Sequence, residues 1–352
     1  MVCTRSIRRA GVSLEISLMR GPLIATTACG ALLWSMSASA DDSKVGVDRQ
    51  SLEDAWWTGP ILAASASTLP QGHFLIEPYL YDAVSYARYD AAGKKHDRPD
   101  THSLGSQTYI LYGLVDRVSI GMIPRFGFND VDSGRDSSGI RVGDLSLQAQ
   151  YRLTEFQEGR PIPTLSLVMQ VTLPTGKHDR LGDRPSDGMG SGAYSSTVAV
   201  YSQYYFWLPN GRILRTRLNI SHTFSDIAQV NDVSVYGTMN GFQGHAAPGD
   251  SSSLIVAGEY SITRNWVLAL DVLYQRDAST RIYGSMLELT DGVPRHTPND
   301  ERFPSSHRFG VAPAVEYNWS SRVGVIVGAQ WFPAGRNVEA SITPVAAINL
   351  VF

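Results

Sequence analysis

Glu77, Arg125, Asp144, Arg152, Arg215, Arg217, Glu259, Asp271, Glu316 and Glu339 share one property: each falls on the polar side of an alternating run. Tyr79, Tyr109, Tyr201, Tyr205 and Trp207 fall on the same side. Alternation with period 2 sends successive side chains to opposite faces of a strand, so all of these face one compartment. Both signs of charge are present, which rules out a simple anion or cation funnel. Two arrangements answer to this composition. Charges with interleaved aromatic rings could line a path for small, partly aromatic solutes, or paired charges could simply fill a narrow interior.

Other chemistries fit less well. A hydrolase needs a nucleophile and a base on one wall. Asn219, Ser221 and His222 come nearest, but adjacent Ser221 and His222 point to opposite faces of a strand. The His-x-Ser spacing of the outer-membrane phospholipases is missing, and His73, His178, His245 and His307 are isolated or in loops. No enzyme is expected. Asp130, Asp132, Gly134 and Asp136 space oxygens as a calcium loop might, without the further acidic ligand that an EF-hand requires. Gly188 to Gly192 lacks the strand–helix context of a phosphate loop. No metal or cofactor is expected.

The elements that hold the polar side are alternating runs. They are His73–Ala83, Thr108–Leu114, Val118–Phe126, Asp144–Leu153, Pro163–Leu173, Thr197–Leu208, Leu214–Phe224, Leu254–Ile262, Trp266–Gln275, Phe309–Trp319, Val323–Trp331 and Val338–Phe352. Most have roughly nine to eleven residues, the length of a tilted membrane crossing. Short links at 115–117, 154–161, 209–212, 263–265 and 320–322 alternate with long gaps at 84–106, 127–142, 174–193, 225–251 and 276–306. Only the last outer link, 334–337, is short. This regularity predicts an all-β fold: a transmembrane antiparallel outer-membrane β-barrel of about twelve strands with both ends on the short-turn side.

Aromatic placement agrees. Tyr151, Phe206, Tyr260, Trp266, Trp319 and Phe352 lie beside the short turns; Tyr81, Phe126, Phe224, Tyr274 and Trp331 lie beside the long gaps. Two interfacial girdles produce that arrangement. Val338–Phe352 resembles the closing strand of such barrels, whose terminal Phe is read by the barrel-assembly machinery. It should pair with His73–Ala83, expose Ile342 and Ile348 to lipid and set Glu339 at the outer rim. Pro78, Pro313 and Pro344 lie inside runs, where each removes a ladder donor, so bulges or displaced strand ends are expected there.

The totals are consistent. Charged residues make up 18% of 352, below the roughly 25% of ordinary chains, and the mean hydropathy is −0.12. A net charge of −3 gives no basic surface for nucleic acid. Residues 1–40 read as a cleaved signal peptide whose expected true start is Met19: Arg20 precedes an apolar stretch, and Ala38-Ser39-Ala40 makes an A-x-A site. Cys3 and Cys29 both lie within it, so the exported chain carries no thiol. Residues 41–71 do not alternate and read as a periplasmic segment that could plug the barrel, leaving 72–352 as the barrel itself.

Four stretches carry a family resemblance: Leu69-Pro70-Gln71-Gly72-His73, Tyr112 to Arg117, Gly143-Asp144-Leu145, and Leu173-Pro174-Thr175-Gly176. Over about 55–352 the chain resembles outer-membrane proteins named for the meta-cleavage (MetA) pathway of phenol degradation, often described as transporters. The resemblance implies an outer-membrane barrel admitting aromatic or other small apolar compounds, and it brings no site residues with it. The expected partners are outer-membrane lipid and lipopolysaccharide, the assembly machinery and a small organic solute, around a monomer. A structural or surface-interaction barrel with a filled lumen is the alternative.

Overall fold

The computed structural model describes residues 49–290 and 293–352. The expected signal peptide, and 41–48 of the segment after it, lie outside the described residues. In chain order the strands are β1 (Phe74–Tyr89), β2 (Lys95–Val115), β3 (Val118–Ile123), β4 (Arg125–Asp130), β5 (Arg141–Val142), β6 (Leu145–Thr154), β7 (Thr164–Leu173), β8 (Ser195–Trp207) and β9 (Ile213–Ser225). There follow β10 (Ala228–Asn231), β11 (Phe242–Ala247), β12 (Ser251–Ser261), β13 (Trp266–Asp277), β14 (Thr280–Thr290), β15 (Val293–Phe303), β16 (Ser306–Asn318), β17 (Val323–Arg336) and β18 (Val338–Val351).

Fourteen of these strands form one sheet that closes on itself, because β1 pairs with both β2 and β18. They make twelve staves: Pro124 splits one stave into β3 and β4, while β5 and β6 belong to the next. Every neighbouring pair is antiparallel. At the seam Leu75 faces Val351 and Tyr81 faces Val345, and Phe74 and Phe352 exchange N–H···O bonds of 3.1 and 2.8 Å. Closure leaves no unpaired edge for hydrocarbon to meet. The protein is a transmembrane antiparallel β-barrel of the outer-membrane type.

Alternation sets the two faces. Leu80, Ile120, Met169, Ile220, Leu268, Val327, Ile342 and Ile348 point outward and are exposed, as the surface facing lipid must be. The girdles bracket them: Tyr151, Phe206, Trp266, Trp319 and Phe352 at the short-turn rim, and Phe126, Phe224, Tyr274 and Trp331 at the other are exposed. Tyr81 is a correction, because it turns inward and packs against the buried Tyr79 and Val345 cluster.

Three further expectations need revision. The gap 84–106 is mostly strand: β1 and β2 run on to Tyr89 and Lys95 around a five-residue turn at 90–94. The gaps 225–251 and 276–306 hold a second sheet in the order β10-β11-β14-β15, with Phe242, Val230 and Ile282 in its small core. Beyond the bilayer both faces of a strand can meet water, so ladder pairing persists without the alternation that betrays it in sequence. The expected proline bulges are also absent. The register runs straight through Pro78, Pro313 and Pro344, which face Thr108, Leu270 and Ala329 on one side. On the other side of each the ladder is interrupted locally, at 77–78 and 343–344 toward the seam partner and at 312–313 toward β17. A proline lacks one donor, so it weakens one of its two ladders and leaves the other intact.

Candidate functional site

Residues 49–72 lie inside the barrel end that carries the short turns. A chain with no sheet partner must still satisfy its backbone groups, and here the wall side chains do so. Gln50 starts the course between β8 and β9, where its N–H donates to the Gly211 carbonyl (3.0 Å) and its carbonyl accepts from Trp207 Nε1 (2.8 Å). The rim is followed to β16, where Asn318 Nδ2 donates to the Trp56 carbonyl (3.1 Å). Gly59, at φ +123°, and Pro60 then reverse the chain. A side chain at Gly59 would be strained, and its Cβ would sit 3.3 Å from Arg217 Nη2.

The return course touches the wall strand by strand. Glu316 Oε2 accepts from the N–H groups of Thr58 (2.7 Å) and Gly59 (3.1 Å). Asp271 accepts from Leu62 (3.3 Å) and Ala63 (3.0 Å). Arg217 Nη1 donates to the Ala63 carbonyl (2.7 Å) and Asn219 Nδ2 to that of Ala64 (3.1 Å). Ser166 Oγ donates to Ala66 (2.5 Å), Gln150 Nε2 to Ser65 (3.1 Å), and Leu69 N–H to Ser119 Oγ (2.8 Å). The segment thus lines β13, β9, β7, β6 and β3 in turn before entering β1.

Five of the residues singled out in the sequence belong to this grip. Arg215 pairs bidentately with Glu259, one bond being 2.7 Å, and Arg217 Nε lies 3.0 Å from the same carboxylate. Arg215 also stacks 4.4 Å over Trp57. Glu259, Asp271 and Glu316 are each 0% exposed, and a buried charge is tolerable only when paired and hydrogen-bonded. The backbone N–H groups of 58, 59, 62 and 63 are part of that compensation.

Glu77, Tyr79, Tyr109 and Tyr201 stand apart from it. They line a cavity of ≈ 300 Å³ between residues 57–69 and the opposite wall, together with Gln148 and Gln170, and Arg215 and Arg217 reach its edge from the grip. Tyr79 and Tyr109 meet edge-to-face at 5.7 Å, and Glu77 accepts from Asn349 Nδ2 (3.2 Å). The remaining candidates lie toward the ends. Arg125 donates to Ser146 Oγ (2.9 Å), Asp144 holds the N–H groups of Gly176 (2.9 Å) and Ser191 (2.7 Å), and Arg152 pairs with Glu155 (2.9 Å). Glu339 pairs with Arg98 (2.7 Å) on the rim away from the short turns. Sequence reasoning passed over Asn318, Gln150, Ser166 and Ser119, all inward and buried. Their signal was their place on the polar side of the alternation.

The other motifs have local roles. His222 faces Ser252 across the ladder, with its Nδ1 2.8 Å from Ser252 Oγ and Asp250 at 4.0 Å. Both residues lie within ladders, β12 pairing with β9 on one side and β13 on the other. In the acidic loop Asp136 accepts from the Val131 N–H (3.0 Å).

With this geometry in view, the relatives fit. The pattern of the family described as "Putative MetA-pathway of phenol degradation" matches residues 82–340. The chain belongs to that family. No curated protein matches it. Among solved structures, the COG4313 outer membrane channel of Pseudomonas putida F1 aligns at a TM-score of 0.61 and 15% identity, over 82% of this chain and 98% of that one. The β domain of the Bordetella autotransporter BrkA aligns at 0.43 and 9%, over 80% and 100%. The Ralstonia pickettii toluene transporter TbuX aligns at 0.38 and 10%, over 85% and 95%. The first supports the fold; the other two scores are too low to carry an argument.

Proposed function

We propose that this protein is an outer-membrane channel for passive entry of small organic solutes, narrowed at the periplasmic end by residues 49–72. The observation that carries this reading is the ≈ 300 Å³ space left between the segment and the far wall. Its lining is mixed: tyrosine rings offer apolar faces with polar tips, and glutamines, Glu77, Arg215 and Arg217 supply hydrogen bonds. Such a wall suits a small, partly aromatic solute better than a bare ion. The family description and the channel of like fold are consistent with it. A barrel filled for strength alone is the competing reading, favoured by the buried Arg215–Glu259–Arg217 group.

Flux separates the two. Purified protein in liposomes should pass phenol-sized solutes, and Glu316→Gln with Asp271→Asn, which loosens the hold on residues 58–63, should raise conductance in planar bilayers several-fold. No flux from either protein, with the barrel folded, leaves the filled-barrel reading standing.

A further inference from the structure

The register of the outer wall brings together residues that are far apart in sequence. His222 faces Ser252, Ser252 faces Arg276, Arg276 faces His307, and His307 faces Arg336, on the consecutive strands β9, β12, β13, β16 and β17. All share the outward face of the exposed Tyr274 and Phe309. Neighbouring strands lie about 4.8 Å apart, so the backbones at Arg276 and Arg336 are separated by roughly 10 Å across the sheet. Two residues toward the bilayer, the next row is Ile220, Leu254, Tyr274, Phe309 and Ala334. Arg276, His307 and Arg336 therefore each lie one step beyond the aromatic or apolar residue of their own strand, on the rim away from the short turns.

These cations are not consumed by the protein. Arg276 and Arg336 are exposed and make no ion pair or hydrogen bond among the described residues. The nearby acids are engaged elsewhere. Asp250 accepts from Ser225 N–H (3.0 Å) and approaches only His222. Asp277 turns inward to Ser251, Gln275 and Ser306. Asp90 accepts from the N–H groups of Ala92 and Lys94 and pairs with His96. Beside the row a hollow of ≈ 390 Å³ is lined by Tyr89, His307, Phe309, Pro333 and Arg336.

We propose that this face binds lipopolysaccharide of the outer leaflet, its phosphates held by Arg276 and Arg336 with His307 between them, and an acyl chain lying on Tyr274 and Phe309. Charge complementarity selects the occupant: a cationic row at headgroup depth over an apolar wall matches a phosphorylated glycolipid, whereas a neutral lipid would leave two exposed arginines unanswered. The inference is independent of whether the lumen conducts.

The test is native mass spectrometry of the full barrel in detergent, titrated with lipid A and with enzymatically dephosphorylated lipid A. Compared are wild type, Arg276→Ser with Arg336→Ser, and Arg308→Ser, which alters an inward arginine at the same level. The double variant should bind phosphorylated lipid about thirtyfold more weakly, since each basic residue near a charged membrane surface contributes about 1 kcal/mol. Wild type should prefer the phosphorylated form, and Arg308→Ser should bind as wild type does. Heat-modifiable migration confirms that each barrel is folded. Equal binding by a folded double variant overturns the proposal. So does equal binding of the dephosphorylated lipid, or inorganic phosphate competing as well as lipid A.

Discussion

A carboxylate that accepts two consecutive backbone N–H groups fixes the path of a chain more firmly than a side-chain contact does, because it restrains the peptide planes themselves. Glu316 does this for Thr58 and Gly59, and Asp271 for Leu62 and Ala63. Hydrogen bonds to charged groups contribute about 1.5–3 kcal/mol. Glu316→Gln keeps the shape but removes the charge, so the amides of residues 58 and 59 should exchange with deuterium roughly tenfold faster, while strand amides of β13 stay protected. Gly59→Ala should have a similar local effect for another reason: φ +123° is closed to a side chain. Exchange unchanged in both variants would mean that the segment is held by its apolar contacts alone.

At the scale of the strand, the two faces predict opposite tolerance. Val327 points outward, 57% exposed, the fifth residue after the short turn at 319–322, and Gln148 faces the cavity. An arginine facing lipid at mid-depth costs about 2–4 kcal/mol, and less near the interface. Val327→Arg should therefore lower the unfolding free energy in phospholipid vesicles by a few kcal/mol, whereas Gln148→Arg should change it by under about 1 kcal/mol. Equal losses from the two would contradict the assignment of faces. The same face logic explains what could be read from sequence. Asp144–Leu153 alternates and matches β6 to within one residue at each end, because one side of that strand meets lipid and the other does not. β14 and β15 were missed because polar residues occupy both sides, as Arg295, His296, Asn299 and Asp300 do, and no environment imposes a period.

For the whole molecule, the outer face is drawn together by Asp187, which ties the loop after β4 to the turn at 185–187. Its carboxylate accepts from Ser138 N–H (2.8 Å) and from Arg141 Nε (3.0 Å) and Nη2 (2.8 Å). Burial pushes its pKa up, but these donors outweigh burial and hold it below its ordinary 3.8. A lowered folded pKa means that this tie is fully present above the ordinary value and is lost as pH falls through the lowered one. Proteolytic nicking of residues 131–143 by an acid-active protease should therefore rise only below about pH 4, and Asp187→Asn should nick readily at every pH. By itself, the sequence determined the barrel, its twelve staves, most of its girdles, Tyr81 excepted, and the alternation of inward and outward side chains, since the bilayer imposes a period on any strand that crosses it. Only the tertiary structure decided what the inward charges do. Arg217 lies 154 positions from Ala63, and Glu316 257 from Gly59. No period links a backbone amide to a carboxylate on the far wall, so closure of the barrel alone brings them together.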